Sequence, residues 1–188
     1  MISLNETVRS LYGALRLARF DSEGLIFFNQ TIRGFWRSFF AAVLVFPPYL
    51  IVLLLRYQGA YGDVSALRFY SIEILTYVVV WLAFPVVMIS VAAAIDRQRF
   101  FVRYIVAYNW AGVLQNALYL PVVILTLAGG LGESASELLS LAVLGWVLAY
   151  GWFITRTALD IPAGAAAGIV GLDFLISILI NAITGRSL

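Results

Sequence analysis

The chain has 188 residues, 63% hydrophobic and only 12% charged, with mean hydropathy +0.97 and a formal net charge of +2. So apolar a composition in a chain of this size calls for lipid as solvent rather than a water-facing globular surface. Cys, His and Lys are all absent, which removes thiol nucleophiles, Cys/His metal sites, Schiff-base chemistry and a histidine general base.

Taken in chain order, the first signal is Ser3-Leu4-Asn5-Glu6, which has the form of a capping box. Behind it Leu4, Val8, Leu11, Leu15 and Ala18 recur at helical spacing, with Arg9 and Arg16 opposite. The pattern predicts an amphipathic helix from Ser3 to about Phe20 lying in the membrane interface. Arg9, Arg16, Arg19, Arg33 and Arg37 would then reach lipid headgroups. A second cap, Asp21-Ser22-Glu23, opens a segment carrying Leu25, Phe28, Ile32, Phe35 and Phe39 on one side. Asn29, Arg33 and Arg37 fall on another side at i, i+4 and i+8. This segment is expected to run directly into the first span, with Phe35, Trp36, Phe39 and Phe40 as an interfacial aromatic belt.

A bilayer core about 30 Å thick needs about 20 apolar residues in a helix. Ser38 to Leu55, Ile74 to Ile95, Tyr104 to Gly132 and Leu138 to Thr155 are uncharged, and Ile161 to Gly185 is interrupted only by Asp173. The expected fold is therefore all-α: residues 1–37 as a cytoplasmic amphipathic segment and 38–188 as five transmembrane helices. Pro47, Pro48, Pro85 and Pro121 lie inside the first three spans, where neighbouring helices can re-satisfy the freed carbonyls.

Arginine sets the expected orientation. Arg9, Arg16, Arg19, Arg33, Arg37, Arg97, Arg99, Arg103 and Arg156 fall on one side, and Arg56, Arg68 and Arg186 on the other. Nine against three places the N-terminus in the cytoplasm and the C-terminus outside. The first 37 residues hold no continuous apolar run of signal-peptide type.

Span five opens Asp160-Ile161-Pro162, read as an N-cap with proline in the first turn. Gly164, Gly168 and Gly171 form a small-residue stripe suited to close helix packing, within the chain rather than between copies. Asp173 lies nine residues beyond Gly164 and so points away from that stripe. Ser177, Asn181 and Thr184 continue its polar face. Counted from the start of each span, Asp173 and Asn116 stand at the same depth, which makes Asn116 the expected hydrogen-bond partner, with Asn109 on the same side of span three. An ionised Asp at a helix centre costs about 2.5–3.5 kcal/mol, and keeping it protonated at pH 7 costs about 4 kcal/mol. Two roles stay open for this residue: a proton or cation site, and an interhelical hydrogen bond.

The stretch from Tyr104 to Gly112, the Trp152–Arg156 stretch before a small-residue final span, and Phe35-Trp36-Arg37-Ser38-Phe39 ahead of a proline resemble the Yip1-like family of five-span membrane proteins. The resemblance implies a non-enzymatic protein of a bacterial inner membrane with a structural, assembly or membrane-organising role. It carries over no catalytic residue and implies no cofactor and no metal. Membrane lipids and other membrane-protein subunits are the expected partners, and nucleic acid is not, because topology accounts for the arginines. The alternative is a small transporter or ion pathway built on Asp173.

Overall fold

The computed structural model describes residues 2–188, in which every regular element is helical. α1 is Leu4–Ala18, followed by a 3-10 stretch at Ser22–Phe27, then α2 (Ile32–Ser38) and α3 (Phe40–Ala60). α4 is Ala66–Ala94, α5 Phe101–Leu127, α6 Glu133–Leu159 and α7 Ala163–Ser187. Five helical stretches are long and apolar enough to cross a membrane, the first being α2 and α3 together, Ile32–Ala60. The protein thus has the make-up of an integral membrane protein.

The helix ends differ from the uncharged runs by several residues, and two of the differences bear on the site. The first span is broken at Phe39, between α2 and α3. α4 begins at Ala66 rather than Ile74, so Arg68 and Glu73 lie inside the helix. The uncharged run marks only the apolar part of a longer helix, and Asp173 is not the one charge within the helices.

α5 is the hub. It packs most extensively against α3 and α6, and also against α1 and α2, while α7 packs on α6 and α4. One end of the bundle gathers α1, α2 and the α4–α5 and α6–α7 connections. Arg103 Nε donates to the Ala158 carbonyl at 2.7 Å, and Arg97 Nε to the Asp160 carbonyl at 3.2 Å. At the far end Arg68 Nη2 donates to the Ser187 carbonyl at 2.8 Å.

The caps work locally as their residue types dictate, with three corrections. Ser3 accepts from the Glu6 amide at 3.2 Å, but Glu6 does not return the bond; its carboxylate pairs with Arg37 at 2.7 Å and accepts from Asn29 at 3.0 Å. Asp21 accepts from the Glu23 amide at 3.0 Å but opens a 3-10 stretch, and Thr31 caps the separate α2. Asn29 therefore lies outside the helix that holds Arg33 and Arg37. Asp160 is not the N-cap of α7: it ends α6 in the left-handed conformation, φ +55°, and Pro162 takes the cap position.

α1 docks through its small side chains. Thr7, Ser10, Gly13, Ala14 and Leu17 are buried, while Leu4 and Val8 are 80% and 57% exposed and Leu15 is also exposed. Going round the helix, one sector meets the bundle, the next carries the exposed leucines, and the next carries Arg9 and Arg16. Gly13 and Gly24 allow the return of the chain: a Cβ on Gly24 would stand 2.5 Å from the Gly13 carbonyl oxygen. No side chain fits there without backbone movement. Tyr150 of α6 fastens the helix by donating to the Ala14 carbonyl at 2.7 Å.

The expected packing role of the α7 glycines is not met. A Cβ added to Gly164, Gly168 or Gly171 would touch nothing within 4 Å, so the stripe faces outward. α7 uses Ala166 and Ile169 for its buried contacts in this half instead.

Candidate functional site

The two halves of the bundle are built differently. Tyr104, Ile105, Trp110, Phe84, Met88, Tyr150, Ile154 and Leu159 fill the half nearer α1 as one continuous apolar core. In the far half the buried apolar side chains are fewer: a small cluster of Val45, Val52 and Leu120, with Leu53 and Phe69 toward the end of α3 and the start of α4. Polar side chains and cavities lie among them.

Asp173 sits where the two halves meet. Tyr108 on α5 donates to both carboxylate oxygens, at 3.0 Å and 3.1 Å. A cavity of about 110 Å3 lies against the carboxylate, lined also by Tyr104, Gln115, Thr155 and Ser177. Toward the dense core Tyr104 and Thr155 share a hydrogen bond of 3.1 Å. A carboxylate offers about four lone-pair positions, and a single hydroxyl shared between the two oxygens does not fill them all.

The expected partner is elsewhere. Asn116 donates to the Gly112 carbonyl of its own helix at 2.8 Å and faces two cavities, of about 540 Å3 and about 330 Å3. Contact here is set by side-chain reach as well as depth: a tyrosine two turns below Asn116 spans the gap that the shorter amide does not. Asn109 is fully buried and serves another joint, donating to Ser38 Oγ at 2.8 Å. The Ser38 hydroxyl proton is committed to the Phe35 carbonyl at 2.7 Å, so Ser38 accepts from Asn109 and the amide orientation is fixed. Asn109 thus pins α5 to the break between α2 and α3. Asn181 donates to the Ser177 carbonyl at 2.8 Å and lines the 540 Å3 cavity, and Thr184 meets Thr76 of α4 at 2.8 Å.

The sequence reading missed Glu73. Its carboxylate is 2% exposed, 2.7 Å from Arg56 Nη1, and accepts from the Tyr49 hydroxyl at 3.0 Å. It borders the same 540 Å3 cavity as Tyr77, Trp81, Tyr108, Gln115 and Asn116. The signal was present as spacing: Tyr49 and Arg56 are seven apart on α3, and Glu73, Thr76 and Tyr77 stand at i, i+3 and i+4 on α4. Gln115 borders all three of these cavities, and so stands between the one that reaches Glu73 and the one that reaches Asp173.

The five arginines proposed for headgroups divide. Arg16 pairs with Asp21 and with Glu23, the latter at 2.8 Å, and the hydrogen bonds it donates, to Glu23 first and Asp21 second, raise its pKa. Arg37 is held by Glu6 at 2.7 Å. Arg9, Arg19 and Arg33 are exposed.

No protein family, no curated protein and no solved structure matches the chain.

Proposed function

We propose that this is a non-enzymatic protein of a bacterial inner membrane, N-terminus in the cytoplasm, that binds and passes a proton or small cation through the polar half of its bundle. Asp173 is the binding group, Tyr108 orients it, and the cavities that share Gln115 as a wall are the approach from outside, with Gln115 as the group that must move to let the ion pass. The observation that carries this reading is Asp173 itself. It stands on the floor of a cavity, held by one hydroxyl, with acceptor positions left for water or a cation. An ionisable group inside the membrane, facing a polar cavity, marks an ion or proton route by default. The orientation follows from nine arginines at the α1 end against three at the other.

Reconstitution into liposomes carrying an internal pH dye tests it. Under an imposed cation gradient the wild type should move protons or the cation, and Asp173→Asn should stop the flux while leaving thermal unfolding nearly unchanged. Equal flux in both proteins would refute the assignment.

A second reading, membrane organisation of Yip1-like type, is favoured by α1. Its apolar row, with Leu4, Val8 and Leu15, is turned away from the bundle between the docked sector and the arginines. That is the arrangement of a helix wedged between protein, lipid and water.

A further inference from the structure

Arg56 and Glu73 are unequally held, and from that inequality we infer that Glu73 is the floor of a binding site for a small organic cation, an ammonium or guanidinium, which Arg56 occupies as a tethered stand-in. Glu73 lies well inside α4, 2% exposed, so its backbone fixes it in place. Its Oε2 is held by Tyr49, whereas Oε1 is buried with no hydrogen bond in line and only the Arg56 charge at 2.7 Å. Arg56 is near the end of α3, a third exposed, with its guanidinium already 5.5 Å from the centre of the Tyr61 ring. Arg56 can therefore swing out toward Tyr61 and water, while Glu73 cannot leave. The position that falls vacant is a cation's, and an anion has no fixed partner there.

The space beside it suits that occupant. The cavity of about 540 Å3 has Tyr49, Tyr77 and Trp81 on its wall, with the Tyr49 and Tyr77 rings stacked at 4.7 Å. Aromatic faces attract ammonium and guanidinium groups, more strongly where water is excluded. A buried carboxylate left without a counter-charge is costly, so removal of Arg56 creates demand for another cation. This site lies on α3 and α4 and does not require Asp173 to bind anything.

The test uses purified full-length wild type, Arg56→Ala and Arg56→Ala/Glu73→Gln in mild detergent, with ethylguanidinium as probe and equal sodium chloride as control. Arg56→Ala should melt lower than wild type and recover with ethylguanidinium but not with salt. By calorimetry it should bind the probe about tenfold more tightly than wild type, which must first displace its own side chain. The double variant should not respond. No recovery in Arg56→Ala, an equal response in the double variant, or a wild type that never binds the probe would each overturn the site. Where Arg56→Ala does not fold, Glu73→Gln must abolish wild-type binding, and undiminished binding there would also overturn it. Asp173→Asn should leave probe binding intact, so failure here and failure of the flux experiment are separate results.

Discussion

The hydroxyl of Tyr108 bridges both oxygens of Asp173, at 3.0 Å and 3.1 Å, and is the polar link between α5 and α7 at the boundary between the close-packed and the cavity-bearing halves. Removing that hydroxyl tests position and function together. Tyr108→Phe should lower stability by about 0.6–1.7 kcal/mol, the range of interhelical polar contacts in membranes. It should also slow flux without abolishing it, because Asp173 remains. Asp173→Leu should cost about as much and stop flux. Thermal unfolding of the three proteins, with liposome flux, checks both.

The orientation is checked by reporter fusions at Gly132 and Leu188. Both should read as external, since residues 128–132 and the C-terminus lie at the end of the bundle away from α1. A cytoplasmic reading at Leu188 would reverse the assignment.

Gly13 and Gly164 should behave oppositely. A Cβ on Gly13 would stand 2.8 Å from the Gly24 carbonyl oxygen, while one on Gly164 meets nothing. Gly13→Ala should cost about 1–3 kcal/mol, as overpacking does. Gly164→Ala should be neutral or slightly stabilising, since alanine suits a helix better than glycine does. Equal melting of the two variants would contradict the placement of α1.

Docking and lipid contact of α1 separate by residue. Ala14→Arg should free α1 to proteases in detergent, because Ala14 is fully buried beneath Tyr150. Leu4→Asp with Val8→Asp should leave it docked in detergent and weaken its hold on lipid vesicles, because both side chains face outward. Protease protection and vesicle flotation report the two effects.

Helix number and type were legible because 20-residue apolar runs have one outcome in lipid, and Asp173 stood out inside such a run. Three features were hidden for physical reasons. Glu73 looked like a loop-side charge because hydropathy locates the apolar part of a helix, not its ends. Asn116 was chosen by backbone depth, whereas contact depends on reach, and Tyr108 has the longer side chain. Gly164 and Gly168 had the spacing of a packing motif, but spacing says only that a close approach is possible there, not that a neighbour makes it. The single-sided Leu row of α1 predicted its helix but not its docking face, since burial was won by Thr7, Ser10 and Ala14, whose small size admits α5 and α6.

The bond from Tyr150 to Ala14 joins residues 136 positions apart. A ribosome emits Ala14 long before Tyr150, so α1 has no docking surface while the first two spans are being inserted. During that interval its exposed leucines and arginines give it somewhere to wait, on the bilayer beside the insertion site. Docking of α1 therefore waits for α6, and the helix closes over a partner made more than a hundred residues after it.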